Sequence, residues 1–465
     1  MESKTGYKWD FYTASTCYLP QAHCLWRYRW RILLCICTPC IVTGCLLVYI
    51  ALALCLAITH TYHGGLSGTL IPLLDDYFIA KGTNSSSLLA PHPMRPFWKE
   101  ELNREAFWNL IQHVMDRQHN TILRARKNIS ENGNSTLHSL NKTGCFSNSD
   151  KMWNPSDYFS LPPQIQRFIK YMRCRDYPLL INQPGVCVSK QNQSEAPMLL
   201  LVIKSQAENI KNRQAIRFTW GHSGLVRGQV GRGGLVHRVF LLGKTEAGSK
   251  ADVEQESKTY GDIIMWDFLD TFFNLTLKDV LFWDWYAKHC ANSRFVFKGD
   301  DDVFVRTPAL LDYLDRQKSK EFVAGDLITA ALPVRSENTK YFIPHGFYKG
   351  SYPSYPGGGG VVYSGALVPR LLAISKRVHL YPIDDVYLGM CLERLGVIPI
   401  HNPAFLTFDF TESEAKEPCA HHTILMVHKR SPEEMLKLWI ETLEPKSECR
   451  NTQLRKTCLQ KKKKK

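Results

Sequence analysis

Charge is missing from the stretch where its absence says most. From Ile32 to Ala57 the chain has no Asp, Glu, Lys or Arg. That run is longer than the ~20 residues a helix needs to span a bilayer. It also exceeds the ~7–15-residue apolar core of a cleavable signal peptide. A buried core helix is the alternative, but the flanks favour a transmembrane signal anchor over residues 32–58. Lys4, Lys8, Arg27, Arg29 and Arg31 precede the run, and no Lys or Arg follows it before Lys81. Cytosolic flanks carry the positive charge, so residues 1–31 are expected as a cytosolic tail and everything after about residue 59 across the membrane.

Other absences exclude whole classes. No Gly-rich run carries the Lys-Ser/Thr of a phosphate-binding Walker loop, and no Rossmann glycine fingerprint opens an α/β stretch, which argues against ATP and NAD sites. There is no internal repeat. The formal charge of +15 lacks the aromatic-interleaved basic stripe of a nucleic-acid surface, and five of those charges are the terminal Lys461–Lys465. Nucleic acid is therefore not an expected partner. None of the eight cysteines beyond the anchor (Cys145, Cys174, Cys187, Cys290, Cys391, Cys419, Cys449, Cys458) forms a Cys-x-x-Cys pair, which weakens a zinc site. Their even number in an oxidising compartment allows disulfides of undetermined pairing. Cys174 and Cys187 bracket a loop that a disulfide could close. Six Asn-x-Ser/Thr sequons begin at Asn84, Asn128, Asn134, Asn141, Asn192 and Asn274, which agrees with a lumenal location.

What is present divides the chain. Residues 59–195 mix Ser/Asn-rich tracts, prolines and modest helical signals near Phe107–Met115 and Ile165–Met172, and read as a lumenal stem with a docking segment. From about 196 to 445 short apolar strands alternate with helices: strand Met198–Ile203, helix Asn209–Thr219, strand His237–Leu242, helix Asp252–Lys258, strand Asp262–Trp266, helix Leu275–His289, strand Arg294–Phe297, helix Pro308–Lys318, strand Glu321–Asp326. That alternation predicts an α/β domain with a mainly parallel sheet, whose ligands bind beyond the carboxyl ends of strands. Residues 446–465 are expected as a basic C-terminal tail.

Five constellations could carry chemistry. Asp300-Asp301-Asp302 follows the last of the strands in the alternating run before the Pro308 helix. Residues i and i+2 of an extended chain share a face, so Asp300 and Asp302 can converge on one divalent ion. A solvated acidic turn has the same appearance. Arg213 and Arg217 stand at i and i+4 of a helix, placed for a nucleotide, for the acidic rim or for a surface ion pair. Asp270 precedes a helix that carries Lys278; the two could take a ribose hydroxyl and a phosphate, or Asp270 could be a local cap. Tyr352-Pro-Ser-Tyr355-Pro followed by Gly357–Gly360 offers aromatic faces and close backbone approach to a sugar, or is a glycine-rich turn before a strand. Asp384-Asp385 enters the helix Val386–Leu395, either as caps or with one carboxylate serving as a general base at a cleft rim.

Taken in order, Arg213-Gln-Ala-Ile-Arg217-Phe-Thr-Trp-Gly221, Phe240-Leu-Leu-Gly243, Asp270-Thr-Phe-Phe-Asn-Leu-Thr-Leu-Lys278, Phe295-Val-Phe-Lys-Gly-Asp-Asp-Asp-Val-Phe-Val305, Tyr352-Pro-Ser-Tyr-Pro-Gly-Gly-Gly-Gly360 and Asp384-Asp-Val-Tyr-Leu-Gly-Met-Cys391 resemble the β-1,3-glycosyltransferases. Within them the chain is most similar to the β-1,3-N-acetylglucosaminyltransferases that extend poly-N-acetyllactosamine. The resemblance covers roughly Cys174–Arg430.

The resemblance implies a Golgi type II membrane enzyme with a Rossmann-like GT-A fold, UDP-GlcNAc as donor and Mn²⁺ or Mg²⁺ as cofactor. It implies a galactose-terminated glycan as acceptor. Position by position, Asp302 matches the family's direct metal ligand and His428, in Val427-His428, its metal-side imidazole. Asp300 and Asp301 match donor-side acids, Arg213, Arg217, Asp270 and Lys278 complete the nucleotide-sugar set, and Asp385 matches the catalytic base. Tyr352, Tyr355, Gly358, Gly359 and Asp384 fall on the acceptor side. The chain departs from the family pattern at Pro356, where relatives often carry Ala or Cys, at Asp384, where Glu is commoner, and at Arg306, where many have Asn. None of these changes removes a catalytic group. A β-1,3-galactosyltransferase using UDP-Gal is the nearest alternative, and a catalytically silent lumenal binding protein is a further one.

Overall fold

The computed structural model describes residues 105–119, 158–187, 196–245 and 250–456. The expected cytosolic tail, the anchor, most of the sequons and the terminal lysines lie outside these residues. Among the described residues no helix is long and apolar enough to cross a membrane.

In chain order the elements are α1 Phe107–His119, α2 Pro163–Tyr171, β1 Leu179–Ile181, β2 Leu199–Lys204, α3 Ile210–Phe218, β3 Gly224–Val226, β4 Gly234–Lys244, α4 Lys250–Tyr260, β5 Ile263–Leu269 and α5 Leu275–His289. There follow β6 Phe295–Asp300, β7 Phe304–Val305, α6 Thr307–Asp315, β8 Val323–Ile328, β9 Tyr355–Ser364, α7 Val368–Ser375, α8 Asp384–Arg394, β10 Ile400–His401, β11 Phe405–Leu406, β12 Met426–Val427 and α9 Pro432–Leu443. The main sheet runs β1-β5-β4-β2-β6-β9-β8-β10, with β3 paired to β4. Its centre, β5-β4-β2-β6, is parallel, while β9 runs antiparallel to both β6 and β8.

Continuous apolar strands are what a sheet covered on both faces requires. Along β2, Leu200 and Val202 join a core with α1, α2, α5, α7 and α8, while Leu199, Leu201 and Ile203 face a second core with α3, α6 and α9. Burying each such side chain contributes about 1.5–3 kcal/mol. The expected α/β alternation is therefore present, but as a mixed sheet.

Several expectations are revised. Gly357–Gly360 is neither loop nor turn but the middle of β9. Cys187 bonds Cys290, not Cys174, tying the segment after β1 to the end of α5, and Cys419 bonds Cys449. Parts of the expected stem are built into the core. Trp108 and Ile111 of α1 are buried, and Trp108 Nε1 donates to the Leu380 carbonyl at 3.1 Å. Asp116 of α1 holds Arg394, in the last turn of α8, at 2.8 Å. This helix thus braces the helix that carries Asp384 and Asp385. At the other end, Cys449 is buried, so the packed part of the chain continues into the expected tail.

Candidate active site

The chain leaves β2 for β4 and β5 on one side, then returns to β6 on the other. Such a reversal opens a crevice at the carboxyl ends of the two strands. Lys204 at the end of β2 is in register with Asp300 at the end of β6. A cavity of about 730 Å³ opens there, with Ser205, Asp302, Tyr355, Asp385 and His428 among its walls.

One wall is acidic. Asp300 closes β6, and Asp301 and Asp302 form the turn after it. Oxygens of Asp300 and Asp302 and a ring nitrogen of His428 lie within 4.8 Å of one another. His428 Nε2 is 3.1 Å from Asp302 Oδ1 and 3.8 Å from Asp300 Oδ2. The convergence comes from a second, three-stranded sheet rather than from strand alternation. β12 lies between β11 and β7, pairing Val427 with Phe304, and Arg430 N donates to the Asp302 carbonyl at 2.7 Å. The imidazole is oriented from behind, with Nδ1 donating to the Thr407 carbonyl at 3.1 Å. Burial opposes a charge on His428, but the hydrogen bond and charge of Asp302, with Asp300, outweigh it and raise its proton affinity. Asp301 turns inward. Its Oδ2 accepts from Ser205 Oγ at 2.6 Å and Asn209 Nδ2 at 2.9 Å, and burial still pushes its carboxyl up to about 6. It shapes the loop after β2.

The other wall holds the paired acids at the start of α8. Asp385 Oδ1 accepts from the Val386 N–H at 3.1 Å. A Cβ at Gly358 would stand only 3.1 Å from Asp385 Oδ2, and a Cβ at Gly359 3.0 Å from His428 Cγ. Adjacent residues of a strand face opposite ways. The glycine run therefore lets the two functional groups approach opposite faces of β9. Gly389 similarly lets α8 close on β9, where a Cβ would stand 2.7 Å from Tyr355 Cβ. Burial and the adjacent charge of Asp384 raise the proton affinity of Asp385, and Lys204 and Lys298 offset only part of this. Asp384 has the opposite fate. Burial works against its charge, but Lys204 Nζ at 2.5 Å and Lys298 Nζ at 3.5 Å hold it ionised. Two adjacent carboxylates are thus split into a charged one and a proton-accepting one, an arrangement suited to general base work.

The remaining expected residues divide. Lys278 lines the cavity but gives its ammonium to Asp270 at 2.8 Å and the Ser205 carbonyl at 2.6 Å. Asp270 lies behind the wall and accepts from the Gly243 N–H. Arg213 and Arg217 do not line the cavity. They share Glu256, and Arg217 also binds Asp262, in a buried ion cluster beneath α3. Arg213 reaches the site only through Ser205 Oγ and the Gln206 carbonyl. Tyr352 and Tyr355 line the cavity, with the Tyr352 hydroxyl bonded to that of Tyr381 at 2.8 Å. Sequence reasoning missed Lys204, Ser205, Asn209 and Lys298. Lys204 left a signal, a lone cation ending the apolar run of β2.

A mixed α/β sheet with carboxylates on one wall of its crevice and a proton-accepting carboxylate on the other defines a glycosyltransferase-like enzyme. The galactosyltransferase family profile matches residues 211–403. N-acetyllactosaminide beta-1,3-N-acetylglucosaminyltransferase 2 of Mus musculus is 42% identical over 365 residues, covering 77% of this chain and 89% of the relative. Its Homo sapiens counterpart is 40% identical over the same coverage. UDP-GlcNAc:betaGal beta-1,3-N-acetylglucosaminyltransferase 7 of Mus musculus is 42% identical over 60% of this chain and 71% of that relative. A solved structure of the bifunctional glycosyltransferase WbbM matches with a TM-score of 0.31 at 12% identity over 56% of this chain and 51% of that one, too distant to bear on the site. The chain belongs to the galactosyltransferase family, and it is a glycosyltransferase.

Proposed function

We propose that the protein is an inverting β-1,3-N-acetylglucosaminyltransferase that moves GlcNAc from UDP-GlcNAc to the 3-hydroxyl of a terminal galactose on lactosamine-type glycans, in protein glycosylation. The observation that carries this reading is the split acid pair, with Asp385 holding a raised proton affinity beside a strand cut back to glycine. The donor and linkage follow the names of the relatives.

In this reading Asp385 takes the proton of the attacking 3-hydroxyl, and Asp384, fixed by Lys204 and Lys298, keeps that carboxyl's affinity high. A single displacement on an α-linked UDP-sugar inverts it to a β bond, so one base suffices. The donor atoms of Asp300, Asp302 and His428, hard oxygens with one imidazole gathered within 4.8 Å, fit Mn²⁺ or Mg²⁺. Such a cation, when bound, supplies charge neutralisation for a departing diphosphate. Asp301, Ser205, Asn209 and Lys278 shape the donor side. Asp270, Arg213 and Arg217 support it from behind. Tyr352, Tyr355 and the Gly358–Gly359 backbone form the acceptor side. We further place the enzyme in the Golgi membrane as a single-pass type II protein. The uncharged run Ile32–Ala57 with its basic flank, the sequons and the disulfides support that placement.

The test is transfer by the purified chain from UDP-GlcNAc and UDP-Gal to lactosamine, with and without Mn²⁺. GlcNAc transfer that requires the metal is expected, with a loss of about a hundredfold or more in Asp385→Asn. Preference for UDP-Gal, or wild-type turnover in a folded Asp385→Asn protein, overturns the reading.

A further inference from the structure

A second cavity, of about 680 Å³, shares no lining residue with the catalytic cleft. One face of α6, the loop at 229–230, the segment after β10 and residues 452–456 wall it. Arg306, Arg316, Arg455 and Lys456 line it, of which Arg455 is already paired with Glu414 at 3.0 Å, leaving three cations without a carboxylate partner among the described residues. Asp312 is its single acid, and both Asp312 oxygens already accept backbone N–H groups, from Val230 at 2.7 Å and Gly231 at 2.9 Å.

Arg306 is the informative residue. It is 4% exposed, and its guanidinium donates to the carbonyls of His422 and Ile424 and to Gln229 Oε1. No carboxylate among the described residues pairs with it. The other buried arginines are all matched: Arg213, Arg217 and Arg238 by Glu256 or Asp262, Arg394 by Asp116 and Arg430 by Asp409. A buried charge held only by neutral acceptors is costly, and burial pulls the Arg306 guanidinium down to about 10. Tethering the 422–424 loop explains the hydrogen bonds but not the missing counter-charge, since a neutral amide would serve that purpose. An anionic ligand supplies it.

We propose that this cavity is an exosite for a sulfate ester carried on a saccharide. A guanidinium with flanking cations suits a sulfate oxyanion. The other walls suit sugar: Tyr313 and Pro403 offer apolar faces, and Asn402, Gln317 and Thr452 offer the amides and hydroxyl that bind sugar hydroxyls. Its volume is that of an ordinary small-ligand site. Binding here is separate from the transfer reaction, so failure of the exosite leaves that reading untouched.

The experiment is a binding titration of the full-length chain with a heparin-derived tetrasaccharide, its desulfated counterpart, inorganic sulfate and a poly-glutamate peptide. Only the sulfated tetrasaccharide is expected to bind well, with affinity falling as salt rises. Arg306→Gln should abolish binding. Because Arg306 also holds core carbonyls, the rim double variant Arg316→Gln with Lys456→Gln provides the second reading. It should weaken binding about tenfold while transfer to neutral lactosamine is unchanged. The assignment is overturned by unchanged binding in the rim variant, by equal binding of the desulfated sugar, or by no binding at all. Inorganic sulfate binding as tightly as the tetrasaccharide makes it a free-anion site, and tighter binding of poly-glutamate makes it a peptide site; either refutes the saccharide.

Discussion

Adding one methyl group at Gly358 or at Gly359 should produce two different defects, although the residues are neighbours. At Gly358 the new Cβ would lie 3.1 Å from Asp385 Oδ2 and 3.5 Å from its Cγ. A comfortable carbon–oxygen contact begins near 3.4 Å, so the carboxyl must yield by roughly 0.3 Å. Its other oxygen is held by the Val386 N–H, so the group pivots away from its working position. A misplacement of about 1 Å costs on the order of a hundredfold in rate, and roughly tenfold in kcat, about 1.4 kcal/mol, is expected here. At Gly359 the Cβ would meet His428 Cγ, Nδ1 and Cβ at 3.0, 3.1 and 3.2 Å. The ring cannot shift without losing its Thr407 bond, and disturbing such an orienting contact costs about tenfold or more in metal affinity. Gly359→Ala should therefore need more Mn²⁺ yet recover near wild-type kcat at saturation, while Gly358→Ala keeps its Mn²⁺ affinity and loses kcat. Steady-state kinetics over a Mn²⁺ series, alongside direct Mn²⁺ titration, separate the two. If both variants show the same defect, or neither shows any, then the assignment of the two faces of β9 is wrong.

Three further outcomes follow from the same geometry. Because burial and Asp384 raise the proton affinity of Asp385, activity should fall as pH drops through that raised value. Its stability contribution slopes the other way: fully present below the unfolded carboxyl value of about 3.9, and lost as pH rises through the folded one. Asp385→Asn should then melt higher than wild type at neutral pH, with the difference gone below about pH 4; a variant melting lower at pH 7 contradicts this. Arg217→Met should cost about 1.5–3 kcal/mol by removing charged hydrogen bonds to the buried Glu256 and Asp262, which keep Arg213 and Arg238 as partners, with the donor KM of the folded protein unchanged, whereas a raised KM with an intact melt would mean that the guanidinium touches nucleotide. Replacing Cys187 and Cys290 by Ser opens a link between residues 103 apart and should cost about 2–5 kcal/mol in denaturant unfolding; an unchanged midpoint would show that the bridge contributes nothing.

Local rules explain what was readable in advance. The helix Leu275–His289 has the expected bounds, and the short apolar runs Leu199–Ile203 and Phe295–Phe297, set between turn signals, are buried strands. Asp300, Asp302 and Asp385 stand out in the sequence because each lies at or just beyond the end of a strong local element. Gly357–Gly360 misled because glycine has low strand propensity, and here the need for close approach overrides it. Arg213 and Arg217 were read at the right spacing, but which acid sits beneath a helix is not written in that helix. Where the docking segment seats was not readable, because α1 is short and its partners, Leu380 and Arg394, lie more than 250 residues away.

The sequence by itself determined the acidic strand end, the uncharged run of 32–57 and the family, because each is a property of neighbouring residues. Only the tertiary structure decided that His428 meets Asp302, that Lys204 and Lys298 charge Asp384 so that Asp385 can take a proton, and that Arg306 alone among the described buried arginines lacks an acid. Those are contacts between elements far apart in the chain. Proton affinity and uncompensated charge depend on what packs around a group, which no local pattern records.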